Sequence, residues 1–204
     1  MLHLILVRHG ETEWNKERRY QGQADIPLSS TGKQQAKLVA KRLVEYKFDA
    51  IYASDLKRAR QTASAITEKN NLTIISEPRL REMSFGVLEG LTWNEAQEQY
   101  PEVVTAWLND YNQPPEGGES LEVFTARITS FLNELKQKHE GQIVLLTAHG
   151  GSLGEFLRLV LGLSSEGRWY FEMENASLSE ILISKDFVSL KRLNETCHLI
   201  SLKG

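Results

Sequence analysis

Two histidines in this chain stand at the end of an apolar run, His9 after one intervening arginine and His149 at once, and both directly precede glycine. Residues 2–7 (Leu-His-Leu-Ile-Leu-Val) lead into Arg8-His9-Gly10-Glu11-Thr12-Glu13-Trp14-Asn15, and residues 143–148 lead into His149-Gly150-Gly151-Ser152. A neutral imidazole is a nucleophile, and a protonated one holds anions. Glycine after each histidine suits a close approach of backbone to ligand. Arg8 stands one residue beyond the first run, and Arg60 lies along the Leu56–Ala59–Ala63 stripe of a predicted helix. A guanidinium is a poor neighbour for apolar side chains unless an anion pairs with it. Two arginines and two histidines at one edge describe a site for a doubly charged anion. Phosphate fits, because guanidinium forks bind its oxygens bidentately.

The elements that must bring these residues together can be read from apolar periodicity. Residues 2–7, 50–53 and 143–148 are short apolar runs that end abruptly in polar residues, as buried strands do. Thr31 and Gln34 have capping-box spacing ahead of a periodic stretch, which predicts a helix over 31–47. A second helix is predicted through Leu56, Ala59, Ala63 and Ile66. Ser120 caps a long amphipathic one with Leu121, Phe124, Ile128, Phe131, Leu132 and Leu135 on its core side. Another is predicted over 153–161, and strands over 177–183 and 187–193 form a hairpin. Strand alternating with helix predicts an α/β fold, a mainly parallel sheet between helices. Ligands of such sheets bind beyond the carboxyl ends of the strands, where both histidines fall. Residues 83–118, rich in Trp, Glu, Gly and Pro, read as a small excursion over that edge. With no linker or repeat, 1–204 is expected to form a single domain.

Composition narrows the class. The 204 residues carry 24 Lys and Arg against 27 Asp and Glu, a formal net charge of −3. So small a net charge gives no general attraction to nucleic acid or to anionic lipid. One cysteine, Cys197, excludes an intrachain disulfide. The first apolar run is too short for a secretory signal, and no stretch approaches the roughly 20 apolar residues of a membrane span. The expected setting is cytoplasmic, with neither nucleic acid nor membrane as partner. No H-E-x-x-H or comparable cluster occurs, so neither metal nor cofactor is expected.

The run from Leu6 to Asn15 resembles the signature of the histidine phosphatase superfamily, the phosphoglycerate mutase-like proteins. The resemblance continues through Pro27-Leu28-Ser29 with Gly32, the 54–63 block Ser-Asp-Leu-Lys-Arg-Ala-Arg-Gln-Thr-Ala, Leu80-Arg81-Glu82, and Ala148-His149-Gly150-Gly151. It implies that His9 is the nucleophile and becomes phosphohistidine. Arg8, Arg60 and His149 would hold the phosphoryl oxygens with help from Asn15. Gln21 and Gly22 would line the pocket, and Gly150 would border it. Glu82 would protonate the leaving oxygen and then activate water. On this reading His9 is neutral and His149 is better placed as a cation, so their environments should push their pKa values apart.

The implied activity is hydrolysis of a small phosphorylated metabolite by a monomer or homodimer. The 83–90 and 117–120 segments are similar to those of α-ribazole phosphatases of cobalamin assembly and of broad-specificity phosphatases, which makes α-ribazole 5′-phosphate a candidate substrate. Three alternatives stand beside it. A cofactor-dependent phosphoglycerate mutase shares every step up to the phosphoenzyme, although it usually carries a longer segment between Glu82 and His149. A serine esterase would use Ser152 in Gly150-Gly151-Ser152-Leu153-Gly154, with Asp186 and His198 following in esterase order. A domain of this kind can also bind phosphate without turning it over.

Overall fold

The computed structural model describes residues 1–68 and 72–202. Six strands form one sheet: β1 (Leu2–Arg8), β2 (Ala50–Ala53), β3 (Ile74–Ser76), β4 (Ile143–Ala148), β5 (Leu178–Ile183) and β6 (Val188–Glu195). Their order is β3-β2-β4-β1-β5-β6. The first four strands in that order are parallel, and the β5–β6 hairpin adds to the β1 edge antiparallel. The α/β architecture expected from the sequence is the one observed.

Side chains alternate across the pleat and commit each face to a layer of helices. Leu2, Leu4 and Leu6 of β1 pack with Ile128, Phe131 and Leu135 of α6 (Leu121–Lys138) and with Leu153, Phe156 and Leu157 of α7 (Gly150–Val160). Ile5 and Val7 face the other way, toward Val39 of α2 (Ser30–Arg42) and Ile66 of α3 (Lys57–Thr67). The helix α2 starts earlier than Thr31 and Gln34 indicated. Its N-cap is Ser29, whose Oγ accepts from Gly32 N at 3.0 Å, because extended backbone at Ser29 leaves that hydroxyl free to reach forward.

The excursion builds a separate small core. Two short helices, α4 (Trp93–Gln99) and α5 (Pro101–Asn109), gather Ala96, Val104 and Trp107 around Met83 and Leu88, and Phe124 of α6 closes the cluster. A one-turn helix, α1 (Glu13–Lys16), follows the first His-Gly pair. Among the described residues no helix is long and apolar enough to cross a membrane.

Candidate active site

The parallel pairing of β1 with β4 sets the site. Arg8 is level with Ala148, so His9 and His149 leave the sheet side by side, and His9 N donates to the Ala148 carbonyl at 2.9 Å. The two ring centroids lie 5.0 Å apart in an edge-on arrangement. Both rings are buried.

His9 is held in one tautomer. Its Nδ1 lies 2.7 Å from the Gly10 carbonyl, which can only accept, so Nδ1 carries the proton and Nε2 keeps its lone pair. Burial, together with the Arg58 and Arg8 charges, keeps the ring's pKa well below the ordinary imidazole value. His9 is therefore neutral.

A cavity of about 180 Å³ opens over His9, lined also by Arg8, Asn15, Gln21, Gly22, Arg58 and Glu82. Arg8 Nη1 donates to the Met173 carbonyl, and its guanidinium lies over Gly150, the first residue of α7. Arg58 is completely buried and donates through Nη1 to the Ala24 carbonyl and through Nη2 to the Gly22 carbonyl, both at 2.7 Å. Burial pushes its pKa down to about 10, against the pull of Glu82 and Asp25. Asn15 Oδ1 accepts from Thr12 N and from Asn175 Nδ2, and Gln21 Oε1 accepts from Thr12 Oγ1. With both amide oxygens occupied, the NH₂ groups of Asn15 and Gln21 remain as donors beside the cavity. Gly22 has φ +48°, and a side chain there would strike the Glu89 carboxylate. Glu82 borders the cavity with its carboxylate tied to Met83 N at 3.0 Å and to Gly151 N at 2.9 Å, on the N-terminal turn of α7.

Two expectations need correction. Arg60 is exposed on the outer side of α3 and does not reach the cavity; Arg58 occupies the place expected for it. Leu56 is the N-cap of α3, with extended backbone (φ −70°, ψ 139°), so it does not share a helical face with Ala59 and Ala63. Without it the buried face is Arg58, Ala59, Thr62, Ala63 and Ile66, and Arg60 lies off that arc.

His149, expected as a cation against the anion, is instead neutral. Its Nδ1 accepts from Arg58 Nε at 3.1 Å, and its Nε2–H donates to Ser54 Oγ at 2.9 Å. Burial and the Arg58 charge hold its pKa well below the usual value. Both ring nitrogens are engaged by protein, and His149 stands behind Arg58 rather than in the cavity lining.

Ser152 is fully buried, with its hydroxyl between the His149 N–H at 3.2 Å and the His149 carbonyl at 3.3 Å. His198 donates to the Ala176 carbonyl, and Asp186 lies in the exposed β5–β6 turn. The three residues of the esterase alternative do not assemble.

Residues 4–196 match the family described as histidine phosphatase superfamily (branch 1). The chain belongs to that superfamily. A relative named phosphoserine phosphatase 1, from Hydrogenobacter thermophilus, is 40% identical over 200 residues, which cover 98% of this chain and 95% of the relative. A relative named "Probable phosphoglycerate mutase GpmB", from Enterobacter sp., is 39% identical over 184 residues, 89% of this chain and 85% of the relative. The solved structure of the α-ribazole phosphatase from Shigella flexneri superposes with a TM-score of 0.89 at 31% identity, covering 95% of this chain and 96% of that one.

Beside the His9 cavity, this member of the superfamily has a second and larger one of about 480 Å³. Tyr20, Glu82 and Phe85 border both. Its far walls are Trp107, Tyr111 and Phe124. Neither Trp107 nor Tyr111 belongs to a motif that would mark it as a pocket wall. The signal that could have raised them is their place within the excursion, in line with Tyr20 and Phe85.

Proposed function

We propose that the chain is a phosphomonoesterase that carries the phosphoryl group on His9 and transfers it to water. The observation that supports this most directly is the Nδ1–H bond from His9 to Gly10, which leaves an unprotonated Nε2 in a cavity walled by two guanidinium groups. In the first step Nε2 attacks phosphorus, and the bond from phosphorus to the ester oxygen breaks. Protonated Glu82 gives its proton to that oxygen, and the alcohol leaves. In the second step the Glu82 carboxylate takes a proton from water while the water oxygen attacks phosphorus. The P–N bond breaks, inorganic phosphate leaves, and His9 is neutral again.

Arg8 and Arg58, with the amide donors of Asn15 and Gln21, hold the equatorial oxygens, so positioning and fixed charge supply the catalysis. Each charge-assisted hydrogen bond of this kind contributes about 1.5–3 kcal/mol. Neutral His149 acts on this reading by fixing Arg58, rather than as a phosphoryl ligand. With two guanidinium groups neutralising the ester, a metal ion is not required, and EDTA should leave the rate unchanged.

The larger cavity favours an aromatic leaving group. Glu82 protonates the leaving oxygen, so the alcohol lies on its side, where Tyr20, Phe85, Trp107 and Phe124 form the walls. The flat aromatic base of α-ribazole 5′-phosphate suits such walls. Serine and glycerate esters would bring an ammonium or carboxylate into an apolar cleft at a cost in hydration. A phosphatase screen over α-ribazole 5′-phosphate, phosphoserine and 3-phosphoglycerate tests this. We expect the highest kcat/KM for the first. A preference for phosphoserine would reject the substrate assignment, and isomerisation of phosphoglycerate without phosphate release would make the protein a mutase. For the reaction itself, acid-quenched turnover should yield an acid-labile phosphohistidine that the His9→Ala variant lacks.

A further inference from the structure

Arg127, in the second turn of α6, uses its guanidinium as a clamp on the segment that carries Glu82. Nη1 donates to the carbonyls of Arg79 at 2.6 Å and Arg81 at 2.8 Å, and Nη2 donates to the carbonyl of Glu82 at 2.9 Å. Nε and Nη2 also form a two-pronged pair with Glu119, at 2.7 and 2.8 Å. Cζ rests 4.7 Å above the Phe124 ring. Glu119 is itself anchored, since its N–H donates to the Ser84 carbonyl at 3.0 Å. Three backbone carbonyls within four residues of one loop are thus fixed by a single planar group, whose side chain is only 16% exposed.

We infer that Arg127, oriented by Glu119, is a positioning residue that holds Glu82 in line with the leaving oxygen. This rests on the role proposed above for Glu82. The loop has no regular secondary structure beyond a single 3₁₀ turn (Pro78–Leu80), so its backbone carbonyls need partners supplied from outside. The fork supplies them from a rigid 18-residue helix that also packs on the sheet core. The Glu82 carboxylate is then met at the other end by Gly151 N. Lysine cannot replace the fork, because a single ammonium group does not span three carbonyls and a carboxylate in one plane.

The experiment compares Arg127→Lys and Glu119→Gln with the wild-type chain on two esters. One is 4-nitrophenyl phosphate, whose leaving group needs no proton. The other is glycerol 2-phosphate, whose alkoxide does. A misplaced acid should lower kcat/KM for the glycerol ester about 10²-fold in Arg127→Lys, and less in Glu119→Gln. The nitrophenyl value should stay within about threefold of wild type. Because Glu82 also activates water, Arg127→Lys should release nitrophenol in a burst stoichiometric with enzyme and accumulate phosphohistidine. Equal losses on both esters, or no loss in either variant, would overturn the inference. If Arg127→Lys fails to fold, Glu119→Gln, which preserves size and shape, decides alone. A wild-type chain that forms no phosphohistidine would instead remove the proposed reaction, so the two failures are distinguishable.

Discussion

Arg58 Nε lies 3.1 Å from Nδ1 of His149, and because a guanidinium only donates, that contact fixes His149 in its neutral form. The same guanidinium reaches Gly22 and Ala24, so it ties the loop through Gln21 to the end of β4. Replacing Arg58 with Met should cost on the order of 10²–10³ in kcat/KM, from lost phosphoryl contacts and a loosened loop. Arg60→Ala, on the outer face of α3, should remain within about twofold. Steady-state kinetics of both variants on an aryl phosphate checks the assignment. The reverse ranking would restore Arg60.

Proton linkage makes the fold acid-sensitive. His9 and His149 both have pKa values held well below 6.5 by burial and by Arg58. Below an unfolded-state pKa of about 6.5, the unfolded chain takes up protons that the folded chain refuses, so stability falls as pH falls. Each ring can contribute a slope of up to about 1.4 kcal/mol per pH unit in that window. Urea unfolding at pH 7 and pH 5 should show the loss, and His149→Asn should make the dependence shallower.

Gly151→Ala separates stability from activity. The site is helical, where alanine is ordinarily better than glycine by about 0.5–1 kcal/mol. Yet a Cβ there would run into Glu82 Oε1 and push the carboxylate off its N–H partner. The melting temperature should hold or rise while kcat/KM falls at least tenfold.

Ser152→Ala should keep phosphatase activity within a few-fold and cost about 1 kcal/mol of stability, the value of one helix-end hydrogen bond. Its buried hydroxyl should resist fluorophosphonate labelling. Stable labelling at Ser152 would reopen the esterase reading.

The strands were legible because buried parallel strands are short, uninterrupted and apolar, and residues 2–7 and 143–148 pointed straight at His9 and His149. Strand β3 was not, since three residues of which two are exposed carry no periodic signal. Arg58 was missed for a geometric reason. An N-cap leucine is apolar like a helix residue but does not lie on the helix's face, and counting Leu56 rotated the stripe toward Arg60. The charge state of His149 was missed because it depends on a partner 91 positions away in the chain. No local pattern encodes that.

The apolar cluster of the excursion shares no buried residue with the two clusters that flank the sheet. Substitutions among Met83, Val104 and Trp107 can therefore reshape the cleft without disturbing the packing under His9. Such a partition lets substrate preference diverge quickly between lineages while the phosphoryl-transfer apparatus stays fixed.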